Sequence, residues 1–513
     1  MNEYQLHNFT GVEFSVAFTT AIEERLDKHF IKDEVQEDLT FAYWRPSRAA
    51  SRYTGIIYDL LLPEQDERIL QGNVAFTHDY LERVLDSCPA ESGIALIHSH
   101  LGPGWQDMSG DDIVAERDRL AGVVTGRTGL PLLGLTWSTD ATWSARFWLR
   151  ADRREYRRQW VTTVRSVGPC LRISYAPHLS PPPSKTERLV ATRSVWGETT
   201  QDQLARTRVG IVGLGSVGSL VAEALSRTGL QRLVFIDNDV IEERNLDRTL
   251  GALWSDVTAR TPKVDVAKRV ADQSHTAEEF SVLTIAESLI TPHGLAAALD
   301  CDVLISCVDR PWPTYILNKL AYLHLIPVID GGIIARLGSS GSLLHIDWTI
   351  QTVGPGRACL LCLDALRRSD VALDREGSLD DPDYIQGLSS GEQERFQRRN
   401  VFAFSMSVAA HEILQLVGLI SGNNRIGGTG PQRYRAYPGR MDVKSVGQCH
   451  PDCDISPLTA TAVPIIADLQ VEYGYLARQP PPSEALRTHQ TKRRSFLRHV
   501  LAVIRGSMNR HHG

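Results

Sequence analysis

The 513-residue chain has little of what marks several broad protein classes. Its net charge is only -6, and 23% of its residues are charged, so no global field points to nucleic acid or to a membrane surface. No uninterrupted apolar run approaches the roughly 20 residues of a membrane span, and the first residues show no basic segment followed by an apolar one. We therefore expect a cytoplasmic protein without a membrane or nucleic-acid partner.

Cysteine is also scarce. Four of the eight cysteines stand in two close pairs, Cys359 with Cys362 and Cys449 with Cys453. In a chain of this length such pairs fit reduced thiols and a metal better than a disulfide framework. They predict a structural zinc, with His450 as an alternative to one thiolate because the second pair is spaced CxxxC.

The length predicts two or three domains, each with its own core. The 42% hydrophobic content is that of a soluble globular protein. We place a first domain at 1–165, a proline-rich linker at 166–186, a second domain at 187–455 and a C-terminal extension with a basic amphipathic helix at 456–513. Apolar residues every four positions predict an amphipathic helix from Phe14 to Phe30.

A cluster of polar residues, in the sequence IHSHLGPGWQDMSGDD, follows the predicted strand Gly93–Ile97. His98 and His100 are two residues apart, so on a strand both point to one side and can share a metal. Ser109 and Asp112 have the spacing of a helix N-cap and its N3 partner. An ion held by His98, His100 and Asp112 keeps a fourth position for water, which is the open geometry of a catalytic zinc.

These residues resemble the JAMM (MPN+) metalloprotease motif of deubiquitinases, which has an upstream Glu, HxH and SxxD. The resemblance implies a zinc-dependent α/β domain in which Glu37 is the general base and Ser109 steadies the oxyanion, with Glu34 as the competing choice of base. Eight residues separate His100 from Ser109 where the family has seven. We expect the extra residue to bulge from the loop.

The second domain begins with the pattern of a strand, a glycine turn and a helix, RVGIVGLGSVGSLVAEAL. Gly213, Gly215 and Gly218 lie in the turn, which would aim helix N-terminal amides at a phosphate. A second apolar run, Leu233–Ile236, ends in Asp237, where a carboxylate binds a nucleotide ribose. Taken alone, this pattern also fits an NAD or FAD oxidoreductase.

The continuation DNDVIEERNLDR, followed by PK, resembles the ubiquitin-activating (E1), MoeB and ThiF superfamily of adenylating enzymes. The resemblance implies a doubly wound, Rossmann-like α/β domain that uses ATP and Mg2+. By resemblance, Asp237 binds the ribose, and the remaining nucleotide ligands are Asn245, Arg248, Lys263 and the magnesium-positioning Asp309. Fixed cations and a metal suit this reaction because attack on the α-phosphate builds negative charge.

Two further expectations come from the same resemblance. Arg193 matches an arginine that reaches an ATP phosphate, often across a dimer interface, so a homodimer is expected. Ubiquitin-type E1 enzymes carry the acyl group on a cysteine between the two cysteine pairs, but none occurs from Leu363 to Gln448. The polar stretch Ser369–Gln397 is predicted to be a mobile crossover loop. The alternatives are an acyl adenylate as product or a thioester on one of four cysteines, Cys359, Cys362, Cys301 and Cys307.

We interpret the chain as a JAMM metallopeptidase fused to an E1-like adenylating domain, as in bacterial ubiquitin-like conjugation systems associated with antiphage defence. It would mature or deconjugate a small ubiquitin-like protein and adenylate its C-terminal glycine, with an E2-like protein as a further partner. One alternative is MoeB/ThiF-like activation of a sulfur carrier that the JAMM domain processes. Another is a scaffold whose JAMM part binds its partner without cleaving it.

Overall fold

The computed structural model describes residues 6–31, 36–71, 73–338, 342–396, 400–423 and 427–465. Glu34 and the predicted basic helix of the C-terminal extension lie outside these residues. The strands are β1 (Glu13–Thr19), β2 (Leu39–Arg48), β3 (Arg52–Leu61), β4 (Arg68–Gln71), β5 (Asn73–Phe76), β6 (Gly93–Ser99), β7 (Leu132–Trp137), β8 (Trp143–Arg150), β9 (Tyr156–Trp160), β10 (Thr163–Val167), β11 (Leu171–Tyr175), β12 (Arg208–Val212), β13 (Arg232–Ile236), β14 (Ser281–Ile285), β15 (Val303–Ser306), β16 (Val328–Leu337), β17 (Leu343–Val353), β18 (Gln432–Arg435) and β19 (Arg440–Val443).

Helices connect most of the parallel strands, and a π-helical segment, Val114–Leu120, joins α3 to α4. The α-helices are α1 (Thr20–Phe30), α2 (His78–Asp86), α3 (Gly110–Ile113), α4 (Ala121–Thr128), α5 (Val190–Trp196), α6 (Glu198–Arg206), α7 (Ser216–Arg227), α8 (Trp254–Ala259), α9 (Lys263–Ser274), α10 (Pro292–Leu299), α11 (Pro311–Leu323), α12 (Arg368–Arg375), α13 (Pro382–Gly387), α14 (Ser390–Phe396) and α15 (Phe402–Ser421).

The first sheet has nine strands in the order β11-β10-β1-β3-β2-β6-β7-β8-β9. β1 runs parallel to β3 and β10, whereas β2 is antiparallel to both β3 and β6. It follows that β6 runs in the same direction as β1 and β3. The C-terminal end of β6 therefore lies at the opposite end of the sheet from the first residues of β1 and β3.

The structure corrects three predictions about local elements. The segment Phe14–Phe30 is a strand, β1, followed by the shorter helix α1, because Phe14, Val16 and Phe18 alternate along a buried strand. The predicted linker begins inside the sheet, since β10 and its antiparallel partner β11 extend to Tyr175. The predicted crossover loop contains α12, α13 and α14.

The second sheet has eight strands in the order β14-β13-β12-β15-β16-β17-β18-β19. Strands β12 to β16 pair with one another in parallel. β17 pairs with β16 in antiparallel fashion, and β18 and β19 continue the sheet in the same way. Helices α7, α9 and α15 contribute to one hydrophobic cluster, and α10 and α11 contribute to another. This arrangement confirms the predicted doubly wound α/β class.

One helix of the described residues, α15, is long and apolar enough to cross a membrane by length and composition alone. Half of its most apolar stretch is buried, and it packs against β16 and β17. Glu412 and Gln415 on this helix are fully buried, and Thr352 donates to the Gln415 side-chain oxygen at 2.6 Å. These are the contacts of a core helix.

The two sheets meet at the N-terminal ends of several of their strands. Arg52, which begins β3, donates to Asp302, the residue before β15, at 2.7 Å, and both side chains are fully buried. Glu13, which begins β1, accepts from Arg208 at 2.6 Å and from Arg232 at 3.2 Å, at the starts of β12 and β13. The C-terminal ends of β6 and β12 therefore both lie away from this junction, although the turn after β10 also contacts the second domain, where Arg357 donates to the carbonyl of Pro169.

Candidate metal and nucleotide sites

The first site forms where β6 ends. His98 and His100 lie at this end, and their Nε2 atoms are 3.2 Å apart. Asp112 completes the group, with Oδ2 3.3 Å from Nε2 of His100 and Oδ1 3.4 Å from Nε2 of His98. The sequence predicted these three residues as metal ligands, and the structure brings them together.

The spacing of these atoms fits a zinc ion. Zinc bonds of about 2.0–2.1 Å to nitrogen and oxygen at tetrahedral angles separate neighbouring ligand atoms by about 3.3–3.4 Å. The observed distances, 3.2, 3.3 and 3.4 Å, lie close to that value, although Asp112 reaches the two imidazoles through different oxygens. One ligand atom from each residue lies within 4.8 Å of the others, so the three side chains can hold one ion and leave a fourth position for water or substrate.

A helix cap places Asp112. Its backbone N donates to Oγ of Ser109 at 3.1 Å, and its Oδ2 accepts from the Ser109 backbone N at 2.7 Å, which is a capping box at the start of α3. Burial alone would raise the pKa of Asp112, but hydrogen bonds from His100 and His98 lower it further than burial raises it. The carboxylate is thus held ionised beside the two imidazoles.

Glu37 lies on the metal side of the sheet. Leu39 of β2 pairs with His98, and the backbone N of Ser99 donates to the carbonyl of Asp38 at 2.9 Å, so the same register sets Glu37 opposite His100. Residues opposite each other in antiparallel strands point to the same face. The hydrogen bond that His100 donates to Asp112 raises the pKa of His100, and the charge of Glu37 adds to this rise.

The loop between His100 and Ser109, which contains the extra residue, is held by hydrogen bonds at Gly104. Gly104 adopts a positive φ of 78°, its backbone N donates to Asp140 at 3.0 Å, and its carbonyl accepts from Ser138 at 2.6 Å. The ring of Trp105 lies 5.0 Å from that of Trp160. The loop therefore turns without displacing the capping box of Ser109 and Asp112.

The glycine turn follows β12 and begins α7. Gly213 has a φ of 91°, a conformation that favours glycine. A Cβ on Gly218 would lie 1.9 Å from the carbonyl oxygen of Gly213, whereas a Cβ on Gly215 would meet nothing within 4 Å. The turn therefore requires glycine at positions 213 and 218, whereas the space next to Gly215 is open.

Asp237 lies beside this turn at the end of β13. Its two carboxylate oxygens accept from the backbone N of Leu214 at 2.6 Å and of Asp239 at 2.7 Å. Burial raises the pKa of Asp237 to about 6, although the charge of Lys263 opposes the rise. The carboxylate is fixed at the crevice formed by the C-terminal ends of β12 and β13.

Lys263 lies among three acids. Its Nζ is 2.8 Å from Oδ2 of Asp239, and burial alone would lower its pKa, but the charges of Asp237, Asp239 and Asp309 raise it. Asp237, Lys263 and Asp309 therefore share one crevice, as predicted. Asp239 was missed by the sequence predictions, although it stands in the same DND run as Asp237.

Three further residues predicted to bind the nucleotide make contacts within their own segments. Asn245 caps a short turn by accepting from the backbone N of Glu242 at 2.9 Å, and Arg248 pairs with Asp247 at 2.7 Å. Arg193 donates to the carbonyls of its own segment, at Thr186 and Ser184. The described contacts of Arg193 thus do not lead to the nucleotide crevice of the same chain.

The four paired cysteines meet in a third cluster. Their sulfur atoms lie within 4.8 Å of one another, and Sγ of Cys359 is 3.7 Å from Sγ of Cys453. Tetrahedral zinc with bonds of about 2.3 Å to sulfur separates neighbouring sulfurs by about 3.8 Å. His450 contributes its backbone N, which lies 3.5 Å from Sγ of Cys362, so the four thiols themselves fit the predicted zinc.

The two remaining cysteines proposed for a thioester differ in exposure, because Cys301 is closed to a substrate and Cys307 is partly exposed. Cys301 is fully buried, and burial raises the pKa of its thiol to about 12. Cys307 lies beneath the glycine turn, where a Cβ on Gly218 would come within 3.3 Å of it, and its thiol points to Glu412 at 3.8 Å. Desolvation raises the pKa of both thiols, which disfavours their use as nucleophiles.

Comparison with known proteins identifies the second half of the chain. A model of the ThiF family matches residues 186–477, more than half of the 513. Molybdopterin-synthase adenylyltransferase of Escherichia coli (strain K12) is 29% identical over 167 residues, which are 32% of this chain and 62% of that protein. Ubiquitin-like modifier-activating enzyme 5 of Drosophila pseudoobscura is 26% identical over 205 residues, 37% of this chain and 49% of that protein.

The chain covers only part of these relatives. The tRNA threonylcarbamoyladenosine dehydratase of Bacillus subtilis (strain 168) is 42% identical over 77 residues, 15% of this chain and 30% of that protein. Among solved structures, Escherichia coli MccB with ATP has 19% identity and a TM-score of 0.40, covering 53% of this chain and 74% of that one. The chain thus spans between 30% and 62% of the three curated relatives, whose names describe more than one reaction.

Proposed function

Since the chain belongs to the ThiF family, we propose that its second domain adenylates the C-terminal glycine of a small ubiquitin-like or sulfur-carrier protein with ATP. Asp237 would accept from the ribose, and amides of the turn at Gly213–Gly218 would receive phosphate. Lys263 supplies a fixed cation beside the position where charge develops. Mg2+, held by Asp309, would neutralise phosphate charge.

We further propose that the first domain is a JAMM-type zinc (iso)peptidase that matures or deconjugates the same protein. The observation that carries this proposal is the cluster of His98, His100 and Asp112, whose ligand atoms lie within 4.8 Å of one another. Zinc there would act as a Lewis acid and provide a nucleophilic water at neutral pH. Glu37 would accept the proton, and the Ser109 hydroxyl would donate to the oxyanion of the cleaved bond.

The two reactions form an ordered pair. Hydrolysis at the first site exposes a C-terminal glycine, and the carboxylate of that glycine is the nucleophile that the second site needs. A small ubiquitin-like protein is the proposed partner of both sites, with an E2-like protein as acceptor, in a cytoplasmic homodimer. The context of bacterial antiphage conjugation comes from the resemblance of the sequence.

The cysteines favour one form of product. Four of them are gathered in the proposed structural zinc cluster, Cys301 is buried, and Cys307 is partly exposed but has a thiol pKa that desolvation raises. We therefore propose that the acyl adenylate itself leaves for an acceptor, as sulfur-carrier activation requires. The alternative of a non-cleaving scaffold is disfavoured because all three metal ligands and Glu37 are present.

Each half has its own test with the purified ubiquitin-like partner. ATP–pyrophosphate exchange should require the mature partner and should be lost in Asp309→Ala but kept in Glu37→Ala. Cleavage of a tail-extended partner should require zinc and be lost in Glu37→Ala while zinc remains bound. Exchange that survives Asp309→Ala would refute the nucleotide assignment, and cleavage that survives Glu37→Ala would place the base elsewhere.

A further inference from the structure

A basic cavity on the surface of the first domain is separate from both proposed sites. It has a volume of about 870 Å³ and lies between the helical run 110–128 and the hairpin of β8 and β9. None of the residues of the metal site or of the nucleotide crevice lines it. The two proposed reactions therefore do not account for this cavity.

The lining of the cavity carries an excess of positive charge. It contains five arginines, no lysine and two acids, so positive charges exceed negative ones by three in a chain whose net charge is -6. The acids are Asp118, 2.7 Å from Arg117, and Glu155, 2.8 Å from Arg157, and all four side chains are about half exposed. Exposed pairs of this kind contribute little, so another anion can replace the acids. The remaining arginines are Arg150, Arg153 and Arg154.

The hairpin holds two of these arginines ready at the cavity. Arg150 donates through Nε to the carbonyl of Asp152 and through Nη2 to the carbonyl of Arg153, each at 3.2 Å, and so fixes the turn between the strands. The side chains of Arg153 and Arg154 are exposed, and no ion pair or hydrogen bond engages them within the part of the chain that the structure describes. Their charges are therefore uncompensated beside the cavity.

The helical wall of the cavity is bare. Gly122 and Gly126 lie one turn apart on α4, both line the cavity, and a Cβ on Gly126 would meet nothing within 4 Å. Glycine is among the least favourable residues inside a helix, so helix stability does not explain this pair. Thr125 also lines the cavity, and its buried Oγ1 has no hydrogen-bond partner among the described residues. The open wall and the unpartnered hydroxyl together favour a ligand at this place.

We propose that this cavity binds a small ligand with two or more phosphate groups. The planar guanidinium of arginine donates two parallel hydrogen bonds to one phosphate and stays charged at any physiological pH. The volume lies within the range of about 300–1,000 Å³ that is usual for small-molecule sites. A chain of phosphates concentrates several negative charges in one small molecule, whereas an acidic peptide spreads the same charge over several residues. This binding goes beyond the two proposed reactions and needs neither of them.

The test measures binding of inorganic tripolyphosphate to the full-length protein by isothermal titration calorimetry. Arg154→Glu should weaken binding about tenfold or more, because it removes charge-assisted hydrogen bonds. Gly126→Gln should also weaken binding by filling the cavity, without lowering the melting temperature, since it places a better helix former in open space. Arg127→Glu is the matched control, because Arg127 lies on the same helix, donates to the carbonyl of Leu85 and does not line the cavity. It should bind as the wild type does.

Tripolyphosphate can also meet the glycine turn of the second domain, so Lys263→Ala is titrated in parallel and should retain the binding that depends on Arg154. Absence of that binding in the wild type, loss of it only in Lys263→Ala, or equal weakening in Arg154→Glu and Arg127→Glu would overturn the proposal. Tighter binding of hexaglutamate or of a single-stranded oligonucleotide, with the same dependence on Arg154, would overturn the assignment to a small phosphate ligand.

Discussion

The two proposed sites lie on different sheets, one at the end of β6 and one at the end of β12, and we predict that processed substrate is released before it is activated. β6 has seven residues and β12 has five, and both run away from the junction of the sheets. At about 3.3 Å per residue, the two strands are about 23 Å and about 17 Å long, so each site lies well beyond the junction. We therefore expect the tail to leave the first site before it enters the second.

The perturbation is an equal mixture of Glu37→Ala and Asp309→Ala, given a tail-extended partner, ATP and labelled pyrophosphate. Neither variant alone should support exchange, because one cannot trim the tail and the other cannot use ATP. The mixture should exchange at a rate close to that of the wild type at equal active-site concentration. The prediction that the processed partner is released would be refuted by a mixture whose exchange rate stays below about one tenth of the wild-type rate. This holds provided that Glu37→Ala still exchanges with the mature partner and Asp309→Ala still cleaves the extended one.

Two further predictions concern the nucleotide crevice. Gly218→Ala should strongly lower the melting temperature measured by differential scanning fluorimetry, because its Cβ would meet the backbone at Gly213 and overpacking costs about 1–3 kcal/mol or more. Gly215→Ala is the control and should melt as the wild type does. Equal melting temperatures for the two variants would contradict the geometry of the turn. Affinity for Mg-ATP should fall about tenfold per pH unit below pH 6, because Asp237, whose pKa is raised to about 6, must be ionised to accept from the ribose. Calorimetric titration should show this fall in the wild type and a smaller one in Asp237→Asn, and parallel curves would contradict the role of Asp237.

Short-range patterns predicted the candidate sites better than long-range ones. His98, His100 and Asp112 lie on one strand end and one helix cap, and Gly213, Gly218 and Asp237 lie at the ends of two adjacent strands. Their spacing along the chain therefore determines most of their geometry. The doubly wound sheet was likewise predictable from alternating apolar strands and helices.

Other features depend on contacts between distant segments. Phe14 and Phe18, four residues apart, fit a helical period as well as a strand, and pairing of β1 with β3 and β10 decides between them. The basic cavity forms between Arg117 and the hairpin of β8 and β9, and no local pattern places them side by side. The two sheets meet where Arg52 contacts Asp302, 250 residues away along the chain, and no local pattern predicts this contact.

The central claim is that one chain both trims and activates the same tail. The most direct measurement is ATP–pyrophosphate exchange with a tail-extended ubiquitin-like partner, compared between the wild type and Glu37→Ala. We predict exchange after a lag in the wild type, none in Glu37→Ala, and full exchange in both when the mature partner replaces the extended one. Equal exchange by both proteins with the extended partner, or no exchange with the mature one, would contradict the account.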